Sequence, residues 1–152
     1  NPRTSTPTEF VRIDGLDWVN IIALTPDNLV VLVKQYRHGS ERTTLEIPGG
    51  CVEKSEAPQD AALRELKEET GFSAENIRLL GTIDPIPALM SIRCHCFLAE
   101  NACRTAAPVL DSGEDISVEL LPLQTVQGMI VDGKISHALV VACFGLFEMK
   151  TR

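Results

Sequence analysis

The sequence predicts a mixed α/β (α+β) sandwich in which helices cover the faces of the sheets. Three observations support this class. β-rich runs come first, a helix with clear start and end signals follows, and further β-rich runs lead to two helical segments. Hydrophobic residues make up 44% of the 152 residues and charged residues 23%, which is ordinary for a globular chain.

The first third of the chain is predicted to form strands. Residues 1–8 are polar and interrupted by prolines, so we expect a flexible N-terminus followed by a single domain over residues 9–150. Turn-forming residues 25–28 separate two β-rich runs, which predicts a hairpin. The expected strands are Trp18–Leu24, Leu29–Tyr36 and Thr44–Ile47, the last ended by Pro48-Gly49-Gly50.

A central helix is predicted from Pro58 to Thr70. Proline suits the first helical position, and Gly71 suits the position just past the end. The elements expected beyond it are strands at Ile77–Ile83, Ile92–Ala99 and Ile116–Leu121, and helices at Leu123–Val131 and, after a Ser136 cap, at His137–Lys150.

Charge and hydropathy limit the expected partners. The net charge is −7, and no basic stripe is present, so nucleic acid is not expected as a partner. No apolar run approaches the roughly 20 residues of a membrane span, so no membrane partner is expected. An acidic chain can still bind a phosphorylated substrate, because bound divalent cations reverse the local field.

Five cysteines cannot all pair within one chain, which favours a reduced, cytoplasmic protein. Cys94-His95-Cys96 raises the alternative of a zinc site, but the spacing is not the usual Cys-x2-Cys. In a strand, the two cysteines would share one face and His95 would take the other. We therefore interpret them as ordinary strand residues.

The central helix concentrates carboxylates on one face. On a helical wheel, Glu65, Glu68 and Glu69 fall within an arc of about 100°. The alternative is a solvated charge run, but like charges at these spacings repel, and by sequence spacing Arg64 reaches only Glu68. A bound cation would remove the repulsion. An all-oxygen set selects Mg²⁺ or Mn²⁺ over zinc.

The segment around this helix resembles the Nudix family, which is marked by G-x5-E-x7-R-E-U-x-E-E-x-G-U, where U is a bulky aliphatic residue. The specified positions are filled by Gly50, Glu56, Arg64, Glu65, Leu66, Glu68, Glu69, Gly71 and Phe72. The aromatic Phe72 is the one mild departure. The resemblance implies an α/β/α sandwich with a mixed sheet and a loop–helix–loop that holds Mg²⁺ against a pyrophosphate.

The resemblance also implies roles for individual residues. The metal ligands would be Glu65, Glu68 and Glu69, with Glu69 the least dispensable, together with the backbone carbonyl of Gly49. Arg64 would orient a catalytic glutamate by hydrogen bonding. Glu68 and Glu69 are candidate catalytic residues. Glu56 is assigned to steadying the loop.

Residues before the box resemble the ADP-ribose and nucleotide-sugar pyrophosphatase branch. Gln35-Tyr36-Arg37 matches its Q-x-R strand end, and Glu46-Ile47-Pro48-Gly49-Gly50 matches its approach to the box. Arg37 and Glu46 are therefore expected to bind substrate, Arg37 through phosphate oxygens. The alternative for Arg37 is a surface ion pair. Pro87 lies where the branch carries a proline.

A later loop supplies one more candidate acid. Ser112-Gly113-Glu114-Asp115-Ile116 resembles the loop that gives these enzymes an additional glutamate. Glu114 would be the catalytic base or an extra metal ligand, and Asp115 is a poorer substitute. The alternative is an exposed loop acid. The resemblance also implies a homodimer. Trp18, in the first strand, is assigned to the core or a dimer interface rather than to stacking on a base.

The leading functional prediction is Mg²⁺-dependent hydrolysis of ADP-ribose or another nucleotide sugar to a nucleoside monophosphate and a sugar phosphate. One alternative is a pyrophosphohydrolase of non-canonical nucleoside triphosphates, and RNA decapping is disfavoured by the acidic charge. A non-catalytic Nudix domain that senses ligands is the alternative from another class. Such domains commonly lose box glutamates, and this chain retains them.

Overall fold

The computed structural model describes residues 3–151, which contain nine strands and three helices. The strands are β1 (Trp18–Ala23), β2 (Leu29–Arg37), β3 (Arg42–Glu46), β4 (Gly49–Cys51), β5 (Phe72–Ser73), β6 (Asn76–Ile83), β7 (Cys94–Glu100), β8 (Cys103–Arg104) and β9 (Ile116–Pro122). The helices are α1 (Pro58–Thr70), α2 (Leu123–Val131) and α3 (Ala138–Thr151).

The strands divide into two principal sheets. A four-stranded sheet has the order β4-β1-β7-β6, in which β1 and β7 run parallel and the other neighbours antiparallel. An antiparallel sheet has the order β3-β2-β9, and β5 pairs with β8 separately. The predicted mixed sheet is confirmed.

The predicted β1–β2 hairpin is wrong. The turn exists, since the Asn28 N–H donates to the Thr25 carbonyl at 2.9 Å, but the two strands then separate into different sheets. Their one direct pairing is an isolated bridge between Leu24 and Val30. Both runs are almost continuously apolar, which is typical of strands covered on both faces rather than of a half-exposed hairpin.

Strand β1 forms the middle layer of an α/β/α arrangement. Val19 and Ile21 belong to a core cluster that includes Leu66 of α1. Ile22, on the opposite face, belongs to a second cluster that includes Phe144 of α3. Because successive side chains of a strand alternate between faces, β1 packs helices on both sides. The predicted sandwich is confirmed.

Helix α1 begins and ends where the sequence predicts. Pro58 occupies the start, and Gly71 adopts a left-handed conformation with φ of 74° just past the end. The Gly71 N–H donates to the Lys67 carbonyl at 2.8 Å, which satisfies one of the last helical carbonyls. The helix is thereby fixed in length, and its acidic residues keep the predicted positions.

Two other boundary predictions need correction. Gly49 and Gly50 do not end a strand but form β4, paired with Asn20 and Val19 of β1. Helix α3 begins at Ala138, and the His137 carbonyl accepts the Val141 N–H at 3.0 Å, so His137 rather than Ser136 is at the cap position. The two-residue strands β5 and β8 were not predicted at all.

The cysteine-containing strand has the predicted face pattern. Cys94 and Cys96 are fully buried in the core beside Cys143. His95, on the other face, lies between the Thr82 hydroxyl at 3.0 Å and the Asp17 carboxylate at 3.1 Å. All five cysteines are free thiols.

Among the described residues before β1, 3–17, no regular strand or helix forms. Residues 3–8 are exposed, and residues 1 and 2 lie outside the described part of the chain, so the flexible N-terminus expected over residues 1–8 stays a prediction. Farther along, Ile13 forms a parallel bridge with Met90. None of the helices between residues 3 and 151 combines the length and apolarity that a bilayer crossing needs.

Candidate active site

The acidic face of α1 lies directly against β4. A Cβ atom on Gly50 would be 2.3 Å from the Glu65 carboxyl group, so only glycine allows this approach. One on Gly49 would be 2.2 Å from the Val19 carbonyl oxygen of β1. The two glycines therefore let β4 fit between β1 and the helix.

Glu69 of α1 is held against β4. Its carboxylate accepts the Gly49 N–H at 2.9 Å, and the residue is only 4% exposed. Burial raises the pKa of Glu69 to about 8, and the negative charges of Glu65 and Glu114 add to the shift. The hydrogen bond from the Gly49 N–H and the positive charge of Arg37 oppose this increase in pKa. Deprotonation of Glu69 therefore adds a negative charge that the cations lining the site do not fully balance.

Arg64 is the centre of the hydrogen-bond network on the outer part of the helix. Its guanidinium donates to both Glu56 oxygens, at 2.9 and 3.0 Å, and to the Cys51 carbonyl at 3.0 Å. It also donates to Glu65 at 2.8 Å and to Glu68 at 3.0 Å. These bonds, first of all the one to Glu56, raise the pKa of Arg64.

These contacts correct the expectation that Arg64 reaches only Glu68. Helical spacing excludes neighbouring side chains from facing each other, but the long arginine side chain lets one nitrogen, Nη1, contact both Glu65 and Glu68. Burial still raises the pKa of Glu65, against the opposing effect of Arg64. Glu56 also accepts the Glu53 N–H at 3.0 Å, a geometry that steadies the loop before α1.

Arg37 and Glu46 form a bidentate ion pair across β2 and β3. The Arg37 Nε and Nη2 atoms donate to the two Glu46 oxygens at 2.9 and 2.8 Å. Burial of Glu46 disfavours its charged form, but the bonds from Arg37 and Thr44 outweigh this and lower its pKa. Glu46 is 3% exposed, whereas the Arg37 side chain is 33% exposed. The buried Glu46 side chain therefore fixes the position of Arg37, and the Nη1 atom of Arg37 takes no part in this ion pair.

Glu114 reaches the same site from the loop before β9. The loop is closed by two bonds between Asp111 and Glu114, with the Glu114 N–H donating to the Asp111 carbonyl and the Asp111 N–H to the Glu114 carboxylate, both at 3.0 Å. Half-buried Glu114 lies close enough to Glu69 and Arg37 to shift the pKa of both. Asp115 is exposed and does not line the site.

A cavity of about 310 Å³ brings these residues together. All the predicted side chains except Glu46 line it, and Glu46 supports it through Arg37. Sequence reasoning missed five further lining residues: Trp18, Cys51, Glu53, Val109 and Asp111. Only Asp111, next to the loop already singled out, carried a usable signal. The others reach the cavity through tertiary packing.

The donor set fits a hard divalent cation. Glu65, Glu68, Glu69 and Glu114 supply carboxylate oxygens, and neither histidine nor thiolate is needed. Within residues 3–151, no three such side chains already stand at ligand spacing. Arg64 engages Glu65 and Glu68, and the Gly49 N–H engages Glu69. A cation would therefore compete with Arg64 for two of its ligands.

Comparison with known proteins supports the same assignment. The NUDIX domain family model matches residues 17–142. The chain is 31% identical over 143 residues to an ADP-ribose pyrophosphatase of Bacillus subtilis, covering 93% of this chain and 76% of the relative. It is 39% identical over 143 residues to a methanol dehydrogenase activator of Bacillus methanolicus, with the same coverage.

A solved structure is also similar. A crystal structure of an ADP compounds hydrolase superposes with a TM-score of 0.78 and 25% identity, covering 88% of this chain and 71% of that one. The box residues, the site that they form and the family match agree. The chain belongs to the Nudix hydrolase family, and it is similar to the ADP-ribose pyrophosphatase branch.

Proposed function

We propose that this Nudix hydrolase cleaves the pyrophosphate of a nucleotide sugar, ADP-ribose or a related compound, to a nucleoside monophosphate and a sugar phosphate. The observation that carries the proposal is Arg37, fixed by buried Glu46 and facing the cavity that holds the box glutamates. A guanidinium in that position suits a pyrophosphate oxygen. Relatives named for ADP-ribose add support.

The carboxylates would hold the divalent cation, Mg²⁺ or Mn²⁺. Glu65, Glu68 and Glu69 are the proposed ligands, with the Gly49 carbonyl and Glu114 as additional ones. When bound, the cation neutralises charge that develops on the phosphate oxygens. This function accounts for an acidic cluster that is costly to bury alone.

The protein's own groups would do the rest. Arg37 has used two of its donor nitrogens on Glu46, so its remaining Nη1 group is available to a phosphate oxygen. Glu46 then acts on the substrate through Arg37, as a positioning residue. Arg64 positions Glu65 and Glu68 in the same indirect sense. Glu114 is the proposed base, since it reaches the cavity from the loop before β9, lies close enough to shift the pKa values of Glu69 and Arg37, and forms no ion pair with an arginine of the described chain.

Hydrolysis of a nucleoside triphosphate is the second candidate. Arg37 and Glu114 distinguish the two candidate functions, because both residues lie outside the Nudix box and match the pattern of the nucleotide-sugar branch. The experiment compares kcat/KM for ADP-ribose, other nucleotide sugars, dinucleotides and nucleoside triphosphates. Arg37→Ala and Glu114→Gln are measured in parallel, with the exposed Arg78→Ala and Glu75→Gln as matched controls.

We expect nucleotide sugars to be the preferred substrates and Arg37→Ala to cost about 2–3 kcal/mol of transition-state stabilisation, a loss of roughly 30- to 150-fold. The two controls should retain wild-type efficiency. A tenfold preference for triphosphates, together with a harmless Arg37→Ala, would refute the nucleotide-sugar assignment.

A further inference from the structure

A second cavity opens beside the first, and this inference about it rests on the proposed function. Its volume is about 570 Å³, within the range typical of small-molecule sites. The two cavities share Trp18, Arg37 and Gly49. The two cavities are therefore neighbours, and a pyrophosphate bound at Arg37 would lie next to both of them.

The two cavities differ in charge. Carboxylates dominate the first, whereas Glu46 is the one carboxylate among the lining residues of the second, and its oxygens already accept bonds from Arg37 and Thr44. Arg42 lines the second cavity, hydrogen-bonds the neutral Ser136 hydroxyl at 3.0 Å, and forms no ion pair within the described chain. This environment suits an uncharged group rich in hydrogen-bond acceptors rather than a metal ion.

Trp18 provides an aromatic surface at the junction of the cavities. Its indole N–H donates to the Asn20 side-chain oxygen at 2.8 Å, and Asn20 is only 4% exposed. The ring is thus held by a buried partner and packs partly on the core. It lines both cavities, so an assignment to core or interface describes only part of its environment. Flat rings stack favourably on such surfaces.

His137 adds an unsatisfied polar group to the same wall. Its Nδ1 atom is the one buried side-chain nitrogen or oxygen between residues 3 and 151 that has no hydrogen-bond partner. Its Nε2 atom lies 3.9 Å from Glu46, too far for a hydrogen bond. The side chain is still 32% exposed, so a rotation of the ring would let a ligand supply the missing partner. Buried unpaired nitrogens are costly, which favours a role for this one in ligand recognition.

We propose that the second cavity binds the nucleobase of the nucleotide substrate, stacked on Trp18 and hydrogen-bonded by His137. The apolar side chains of Ile47 and Leu139 line the same cavity and suit the faces of an aromatic base. The sugar on the far side of the pyrophosphate would then lie in the first cavity, whose lining includes Cys51 and Glu53, residues that the second cavity does not share.

Trp18 is the only tryptophan in the chain, so its fluorescence reports directly on the proposed stacking. The wild-type protein is titrated with AMP, GMP and UMP, and with ribose 5-phosphate as the probe without a base. Excitation is set where the single tyrosine does not absorb, and free N-acetyltryptophanamide corrects for absorption by the nucleotides. We expect saturable quenching by at least one nucleoside monophosphate and none by ribose 5-phosphate. Equal quenching by ribose 5-phosphate, or none by any nucleotide, would overturn the assignment.

The role of His137 is tested with substrates that differ only in the base: ADP-, GDP- and UDP-glucose. His137→Ala should lower kcat/KM by roughly tenfold for the preferred base and much less for the others, as expected for one lost hydrogen bond. His137→Asn should recover part of the loss, because its amide nitrogen lies near the position of Nδ1. Met149→Ala is the control, because Met149 lies in the helix that His137 precedes and is 79% exposed.

A loss that is equal for all three bases, or that follows the sugar when ADP-ribose, ADP-glucose and ADP-mannose are compared, would refute base recognition. Rescue by His137→Gln instead of His137→Asn would point to Nε2 and Glu46, and would also refute it. The binding measurement and the hydrolysis measurement test different proposals, so the failure of one can be distinguished from the failure of the other. Quenching without hydrolysis of any nucleotide sugar would refute the proposed function and leave the base subsite standing, whereas hydrolysis without quenching would do the reverse.

Discussion

At the scale of single residues, Glu69 combines burial with a carboxyl group whose charge, once it is deprotonated, the described residues around it do not fully balance. Its carboxylate accepts the Gly49 N–H, and burial raises its pKa to about 8. Glutamine has the same shape and can accept the same N–H, so Glu69→Gln removes the charge without removing the contact. The substitution therefore separates the electrostatic role of this residue from its packing role.

We predict that Glu69→Gln folds normally but loses at least about nine-tenths of wild-type turnover. The reason is that loss of a metal-ligand charge should cost several kcal/mol of transition-state stabilisation. Circular dichroism checks the fold, and steady-state rates with saturating Mg²⁺ check the activity. Retention of more than roughly a tenth of the wild-type rate would remove Glu69 from the ligand set.

The same variant should respond differently to pH when metal is absent. The unfolded pKa of Glu69 is near 4.5 and the folded pKa is about 8, so between these values the folded protein retains a proton that the unfolded chain releases. The wild-type free energy of unfolding should therefore fall as pH rises from 4.5 to 8, relative to Glu69→Gln, by about 1.4 kcal/mol for each pH unit. Denaturant unfolding in chelator at several pH values measures the difference, and a difference independent of pH would contradict the burial argument.

Residue identities at the site could be predicted because helical periodicity and the box spacing fix which carboxylates share a face. Their contacts could not. The bonds from one Arg64 nitrogen to Glu65 and Glu68 depend on the side-chain conformation, and the pairing of Arg37 with Glu46 depends on the register of two strands. Neither is encoded in residue spacing alone.

At the scale of elements, the contact between β4 and α1 depends on two adjacent glycines with different neighbours. A Cβ on Gly50 would meet the flexible end of the Glu65 side chain, whereas one on Gly49 would meet the Val19 backbone. One collision can be relieved by turning a side chain, and the other requires β1 or β4 to move. The two positions should therefore respond differently to the same substitution.

We predict that Gly50→Ala changes the free energy of unfolding by less than about 1 kcal/mol but lowers kcat/KM, because Glu65 is displaced. Gly49→Ala should destabilise the fold by about 1–3 kcal/mol, as overpacking does. Gly145→Ala, within α3 where an added Cβ meets nothing, should stabilise it by up to about 1 kcal/mol. Urea unfolding and steady-state kinetics on all three variants provide the test. Equal destabilisation at Gly49 and Gly50 would contradict the distinction between backbone and side-chain neighbours.

Element types were more predictable from sequence than element partners. Helix α1 could be placed from its proline and glycine signals, which act locally. The separation of β1 from β2 could not, because strand pairing depends on β7 and β9, far along the chain. Strand β4 was missed because glycines usually break strands, and here they are needed for a close approach that only the tertiary structure reveals.

At the scale of the whole molecule, the site is assembled from both principal sheets, α1 and the loop before β9. Arg37 comes from one sheet and Gly49 from the other, while Glu69 and Glu114 come from the helix and the loop. A cation held among these groups would link elements that separate on unfolding. Its binding should therefore stabilise the complete fold, in a chain whose net charge of −7 already favours cations.

We predict that Mg²⁺ or Mn²⁺, added to chelator-treated protein, raises the Tm and restores an activity that chelation removes. A ligand at 100 times its Kd contributes about 2.7 kcal/mol, which corresponds to roughly 5–10 °C for a domain of this size. NaCl at the same ionic strength should raise the Tm much less, because it screens the charges of the protein without being coordinated by the carboxylates of the site. Zn²⁺ should restore activity poorly, since the donor set is all oxygen.

Glu65→Gln and Glu69→Gln should reduce the Mg²⁺-dependent increase in Tm, and exposed Glu75→Gln should not. If all three variants kept the wild-type shift, the cation would be acting elsewhere on the acidic surface, and full activity in excess chelator would exclude a metal-dependent reaction.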